Sequence, residues 1–402
     1  MRFSTKPHKF YGGIDLHART MYLCILNQVG EILVHRHMPA APDPFLTTIA
    51  PSREDVVVCV ACIFTWYWLA DLCAQEGVPF VLGHALSMKA IHGGKATNDT
   101  IDSQKIAVLL RGGMLPQAYV YPAAMRATRD LLRRRMPLAR QRAELLAHVQ
   151  QTNSQDHLPA IGQKMADKAT RDGVAERCAD PAVHKSIDVD LALISDDDER
   201  LRDVERPILN TATPHDANTL YRLQTVPGIG TILSRVWRYE IHEINRFPTV
   251  QDCVSDGRLV QCAKASAGKR LGTSGTKIGH AHLTWACSEA AVWFLRDHPP
   301  AQKDLARLEK THDNGTALTG LAHQWARAVY DRLTRHVAFD QAPFFQHSWR
   351  GADEPGASRD TQGLNLPDAL DPAASMASLH AQAHIGRETL SPALCLDIRS
   401  RS

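Results

Sequence analysis

Between Tyr11 and His37 this chain places three apolar segments close enough together to form a meander, and that arrangement constrains the fold more than any other feature. Tyr11 to Leu16 is apolar and carries Asp15 at its end, Met21 to Leu26 follows, and a turn at Asn27 to Gly30 leads into Ile32 to His37. Beyond them the connections lengthen. Pro44 to Ala50 suits a short helix, and the β-branched run Val56 to Ile63 suits a buried strand. Thr65 is placed to N-cap a helix beginning Trp66-Tyr67-Trp68, which Gly77-Val78-Pro79 stops before the strand Phe80 to Leu82. Asp99 to Leu110 shows helical spacing through Ile101, Ile106, Leu109 and Leu110. A meander continued by alternating helix and strand predicts an α/β domain over residues 8–122, in an order that several α/β folds share in part.

From residue 123 to 215 the spacing predicts a helical connector without strands, interrupted by a polar patch between His157 and Pro181. Ile187, Leu191, Ile194, Leu201, Val204 and Ile208 recur at coiled-coil spacing, as in a helix lying against a partner helix. The acidic run Asp196 to Glu199 reads as that helix's wet face. Residues 216–340 form a mainly α C-terminal domain, whereas residues 350–402 are rich in Ala, Pro, Asp and Ser without periodicity and predict an unstructured tail.

A chain of 402 residues with 44% hydrophobic content is long and apolar enough for more than one packed core. Its longest apolar stretch, Val56 to Ala70, is interrupted by Thr65 and falls short of the roughly 20 residues that span a bilayer. The opening MRFSTKPHKF has no apolar signal core and the nine cysteines are scattered, so a cytoplasmic location with reduced thiols is expected. Net charge of +3 says little about partners, but the local charge does. Arg126, Arg129, Arg133, Arg134, Arg135, Arg140 and Arg142 face the single acid Asp130, which reads either as a solvated helix face or as a set of phosphate contacts.

Several constellations can carry chemistry. Asp15 projects from the end of a strand, and Asp99 and Asp102 share one face at the start of a helix. Together they suit a hard cation such as Mg2+, which serves phosphodiester chemistry; alone, Asp99 and Asp102 suit nothing more than a helix N-terminus. Thr225-Val226-Pro227-Gly228-Ile229-Gly230-Thr231 before an apolar helix reads as the hairpin of a helix–hairpin–helix, in which Gly228 and Gly230 let backbone N–H groups approach a DNA phosphate, or as an ordinary turn. Lys264, Lys269, Arg270 and Lys277 surround Ser266 with positive charge. Cys59 and Cys62 form a CxxC inside a buried strand with no second pair at zinc spacing, and read as core residues.

In order along the chain stand Tyr11-Gly12-Gly13-Ile14-Asp15-Leu16-His17, Trp66 to Asp71, Asn98-Asp99-Thr100-Ile101-Asp102 leading to Leu109 to Gly113, Val226 to Gly230, and Ser266-Ala267-Gly268-Lys269 with Gly275 to Gly279. Through these motifs, over residues 8 to 340, the chain resembles insertion-sequence transposases with a DEDD-type, RuvC-like N-terminal domain. That group includes Piv-type DNA invertases and recombinases guided by a bridge RNA. The resemblance implies a ribonuclease-H-like domain whose acids Asp15, Asp99 and Asp102 bind Mg2+. It further implies a connector that helps assemble a dimer or tetramer, and a C-terminal domain whose Ser266 attacks DNA in a composite site with the acids. DNA ends and target are the implied partners, a guide RNA stays open, and the implied setting is the bacterial nucleoid.

This sequence departs from the family pattern at one position. Where a glutamate is expected in the fourth strand, it has Ala61, and Glu54 and Asp55 at the strand's far end cannot substitute: a ligand sits within about 2 Å of its ion, and a strand advances about 3.3 Å per residue. The fold and nucleic-acid binding are expected to survive, with strand cleavage weak or absent. Two other readings stay open. One is a nucleic-acid-binding protein without catalysis. The other is an actin-like ATPase or sugar kinase, suggested by Gly13 to Leu16 but opposed by His17-Ala18-Arg19, where a phosphate loop needs glycine and hydroxyl residues.

Overall fold

The structure is a computed structural model and describes residues 2–339 apart from 62–63, 93–97, 160, 162–164, 166, 216, 261, 268, 275–278 and 311–312. The chain forms two compact units, Met1–Arg126 and a second beginning at Ala127. The tail expected at 350–402 lies outside the described residues, as do Cys62 and Lys277.

The first unit is a mixed sheet with helices. Its elements are β1 (Phe10–Leu16), β2 (Thr20–Asn27), β3 (Ile32–Pro39), α1 (Pro42–Ile49), β4 (Val56–Ala61), α2 (Tyr67–Gln75), β5 (Phe80–Gly83), α3 (Ala85–His92) and α4 (Asp99–Arg111). The strand order is β3-β2-β1-β4-β5; the first three strands pair antiparallel, and β4 and β5 add in parallel. The meander and the alternating helix and strand read from the spacing are therefore both present, and the parallel pairing of β4 and β5 is what the structure adds.

Period-two alternation gives β1 two faces. Ile14 and Leu16 join Met21, Leu23, Val58, Val60, Phe45 and Leu69 in the larger core, while Tyr11 shares the other core with Val57, Cys59, Ile106 and Leu109 of β4 and α4. Between Tyr11 and Asp15 on that second face stands Gly13. A Cβ there would lie 2.2 Å from the Ser103 carbonyl oxygen and 2.3 Å from the Ala107 nitrogen, so α4 rests directly on the β1 backbone. Gly13→Ala is expected to lower the stability of this unit by about 1–3 kcal/mol or more, because rigid backbone stands in the way. Thermal unfolding followed by circular dichroism checks it, and an unchanged midpoint would mean that α4 can ride outward at no cost.

Thr65 does not cap α2 as its sequence position suggested. The helix begins after Trp66 without a side-chain cap, and the Thr65 hydroxyl donates to the Leu16 carbonyl at 3.2 Å, tying the segment after β4 to the end of β1. Cys59 is fully buried, and burial pushes its thiol up, in keeping with a core residue.

The second unit is mainly helical: α5 (Ala123–Gln155), α6 (Pro181–His215), α7 (Ala217–Gln224), α8 (Thr231–Ile241), α9 (Val250–Asp256), β6 (Cys262–Ser266), β7 (Lys269–Ser274), α10 (Ala281–Asp297), α11 (Pro299–Leu308) and α12 (Asn314–Arg335). The seam of α6 has a partner in this chain. Ile187 and Ile194 pack with Leu146 and Val149 of α5, and the ion pairs Arg135–Glu205 (2.6 Å), Arg142–Asp198 (2.5 Å) and His148–Asp190 (2.5 Å) rise along one helix as they descend the other. An antiparallel pair results. The acidic run is consequently not all wet face: Asp198 also binds Arg171 at 2.6 Å, and Asp197 is buried, with burial first and then its acidic neighbours raising its pKa. Only Asp196 and Glu199 of the run face solvent.

The hairpin β6–β7 was not legible in the sequence, where Cys262 to Ser266 lacks the β-branched residues and alternation that mark a strand. Among the described residues, no helix is long and apolar enough to cross a membrane.

Candidate functional site

Asp15 lies at the end of β1, half-buried, with its side chain 15% exposed. Its partner in sequence spacing is His17, two residues on and therefore on the same side of the strand end. The His17 Nε2 stands 3.6 Å from Asp15 Oδ2 and 3.4 Å from Asp99 Oδ1. Asp99 reaches this point because Asn98 caps α4, its side chain accepting from the Ile101 N–H at 2.8 Å, which fixes the first turn over the strand. The ligand atoms of Asp15, His17 and Asp99 all fall within 4.8 Å of one another. Burial raises the Asp15 pKa; His17 opposes that shift, and Asp99 and Asp102 add to it.

Of the three expected acids, the structure brings two into one group. Asp102, one turn further along α4, stands outside it and accepts from Lys105 Nζ at 3.2 Å, although its charge is felt at Asp15. His17 was missed in the sequence, where only its i, i+2 relation to Asp15 signalled it.

The register of the sheet locates the departing residue. β1 and β4 run parallel with Gly13 opposite Cys59 and Ile14 opposite Val60, which brings residue 61 level with Asp15. Ala61 packs with Cys59 and Val57 on the face that α4 covers, the face from which Asp15 also projects. A glutamate at 61 would thus point toward the acids. Two carboxylates and an imidazole at this spacing fit a divalent cation, with one oxygen ligand fewer than a glutamate at 61 would give.

In the second unit, Ser266 ends β6 and is exposed, paired with exposed Lys269 of β7 across a turn in which Ala267 adopts φ 49°. Lys264 and Arg270 fall on the two strands. The turn Thr225 to Gly230 joins α7 and α8 as expected, but its two glycines serve different ends. Gly228 has φ 86°, and a Cβ there would lie 2.3 Å from the Ala290 carbonyl oxygen, so α10 itself demands glycine. Gly230, at the uncapped start of α8, has open space on its side-chain face.

Residues 12–154 match the family model described as Transposase, of the DEDD IS110 type, and residues 220–307 match the one described as Transposase IS116/IS110/IS902 family. The chain carries the two domains of the IS110-family transposases. No curated protein matches it. The DEDD domain takes in Asp15 at the end of β1 and Asp99 on α4, with β4 beside them, and the second domain takes in the glycine turn and Ser266.

Most arginines of the chain's basic segment face inward. Arg126 is buried against Trp66 and Tyr67, 4.7 Å from each ring, and donates to Asp71 at 2.8 Å. Arg129 and Arg133 converge on Glu240 of α8, which is 1% exposed: Arg129 Nε donates at 2.6 Å, Arg133 Nε at 2.8 Å, and His280 Nε2 lies 3.0 Å away. Arg135 and Arg142 make the cross-helix pairs with Glu205 and Asp198. Arg134 and Arg140 remain exposed. A spacing reading could not separate these roles, since buried and exposed arginines alternate along α5 at helical period. Beside Arg140, a half-open groove of about 370 Å³ is lined by Arg133, Gln141, Glu144, His282 and Trp285, among others.

Proposed function

We propose that this chain is a DNA recombinase of an insertion sequence that cuts and rejoins strands through a divalent-metal site on Asp15 and Asp99, with Asp102 beside it, and through Ser266 as nucleophile. The observation that carries the reading is the convergence of Asp15 and Asp99 at the end of β1, inside the stretch that matches the DEDD transposase domain. A bound divalent ion of the Mg2+ class would neutralise charge on a phosphodiester there. The chain's own residues do the rest. Asp15 and Asp99 present oxygen ligands from two rigid elements held together at Gly13, and Asp102 adds negative charge one turn away. Ser266, exposed at a hairpin tip beside Lys269, offers its hydroxyl to a phosphorus, forming an Oγ–P bond as the P–O bond to one sugar breaks, with the hydroxyl proton lost to solvent and the departing sugar oxygen taking one up to leave as a hydroxyl. With Ala61 in place this copy is impaired in cleavage and retains binding.

The test is the covalent adduct. With Ala61→Glu as background, incubation with the element's terminal DNA, a target and the element's noncoding RNA should yield protein-linked DNA. Adding Ser266→Ala or Asp15→Asn should remove it. An adduct that survives Ser266→Ala would overturn the nucleophile assignment; equal adduct with and without Asp15 would overturn the metal assignment. Omitting the RNA decides whether guidance is needed. Retained binding with no adduct in any version would leave a nucleic-acid-binding protein without catalysis.

For binding, the groove beside Arg140 is lined by a tryptophan together with arginines, residue types that take a base by stacking and a phosphate by charge. Joint substitution of Arg140 and Trp285 by alanine is expected to weaken single-stranded nucleic-acid affinity by roughly 10-fold or more, since one stacked base contributes about 1–3 kcal/mol. Fluorescence anisotropy over a salt series checks it. Unchanged affinity would remove the groove from the interface.

A further inference from the structure

We propose that His17 is a metal ligand in this chain and that, with Asp15 and Asp99, it makes a mixed nitrogen–oxygen site that prefers a transition-metal ion such as Mn2+ or Co2+ over Mg2+. The inference rests on the reading of the first unit as a divalent-metal domain and concerns which residues and which ion. Three observations lead to it. His17 Nε2 sits between the two carboxylates, 3.6 Å from one and 3.4 Å from the other, so a single ion placed among the three atoms meets all of them without movement of any backbone element. The side chains of His17 and Asp99 are about half exposed, so an ion has access from solvent. The sheet register then makes residue 61 the position level with Asp15 on the same face, and that position is alanine, so the oxygen set is short by one there.

Ligand chemistry decides the preference. Mg2+ takes oxygen ligands in near-ideal octahedral geometry and gains little from an imidazole, whereas an imidazole nitrogen adds affinity for first-row transition ions, more for Co2+ than for Mn2+. Removing a carboxylate and adding a histidine moves the site in one direction along that series. His17 is exposed and lies outside both cores of the unit, so replacing it removes a ligand without emptying packed volume.

The experiment titrates the full chain with Mg2+, Mn2+ and Co2+ separately, reading Mn2+ by electron paramagnetic resonance, Co2+ by its visible absorption and Mg2+ by calorimetry. Wild type is compared with His17→Ala, Ala61→Glu and Asp15→Asn, each checked for an unchanged thermal midpoint. Wild type should bind Mn2+ and Co2+ at least about 10-fold more tightly than Mg2+. His17→Ala should lose at least about 10-fold of that affinity and the Co2+ absorption change, while Mg2+ binding stays as it was. Ala61→Glu should raise Mg2+ affinity and narrow the preference. If His17→Ala leaves the Co2+ spectrum and affinity unchanged while Asp15→Asn weakens binding, the metal domain stands and His17 is only a counter-ion to the two acids. If Asp15→Asn leaves the affinity for every ion unchanged, the metal reading of this cluster fails with it.

Discussion

Replacing Ala61 by glutamate is expected to raise metal-dependent strand cleavage by this chain by at least about 10- to 100-fold, the loss that follows removal of even an outer supporting group at a metal site. The expectation is geometric. Residue 61 is level with Asp15 across the parallel β1–β4 pair, and it shares the face on which α4 lays Asp99. A glutamate there gains a carboxylate at a strand end that Thr65 already ties to Leu16. Because Ala61 is only half-buried, the longer side chain does not have to displace a packed core. Cleavage of element-end DNA, measured side by side in the two versions with Mg2+, decides it. Equal rates would mean that the site does not need a fourth carboxylate, and that the impairment assigned to this copy is mistaken.

Removing Glu240 is expected to cost the second unit about 3–5 kcal/mol, since Glu240→Ala takes away the buried carboxylate on which Arg129, Arg133 and His280 converge. Burial alone would raise the Glu240 pKa, but the hydrogen bonds and charges of His280, Arg133 and Arg129 outweigh it and hold the carboxyl far below its ordinary value of 4.5. The sign of the pH dependence follows. A folded pKa below the unfolded one gives stability that is complete above about pH 4.5 and is lost as pH falls. Urea unfolding of wild type and Glu240→Ala should therefore differ most at pH 7, and the gap should narrow steadily below pH 4.5. A gap independent of pH would mean that packing, not charge, is what Glu240 supplies.

The sequence alone determined the α/β order of the first unit, because period-two and period-3.6 patterns are local and report which face of an element is buried. It also singled out Asp15, Asp99 and Asp102, since a carboxylate at a strand end and others at a helix start are each visible within a few residues, and the family resemblance marked residue 61 as a position where a glutamate was expected. Tertiary structure decided what no local pattern holds. His17 enters the acidic group only when α4 is laid over β1, an approach that Gly13 permits and any Cβ would prevent. Gly228, read as freedom for approach to DNA, is used up by the close pass of α10. Arg129, Arg133, Arg135 and Arg142 looked like a surface for phosphate, yet α6 and α8 bring Glu205, Asp198 and Glu240 to them from residues far along the chain. The physical reason is common to all three cases. Periodicity measures which side of an element is buried, whereas the charge or backbone that meets that side is set by long-range packing, so the sequence located the candidate site and only the fold brought its side chains together.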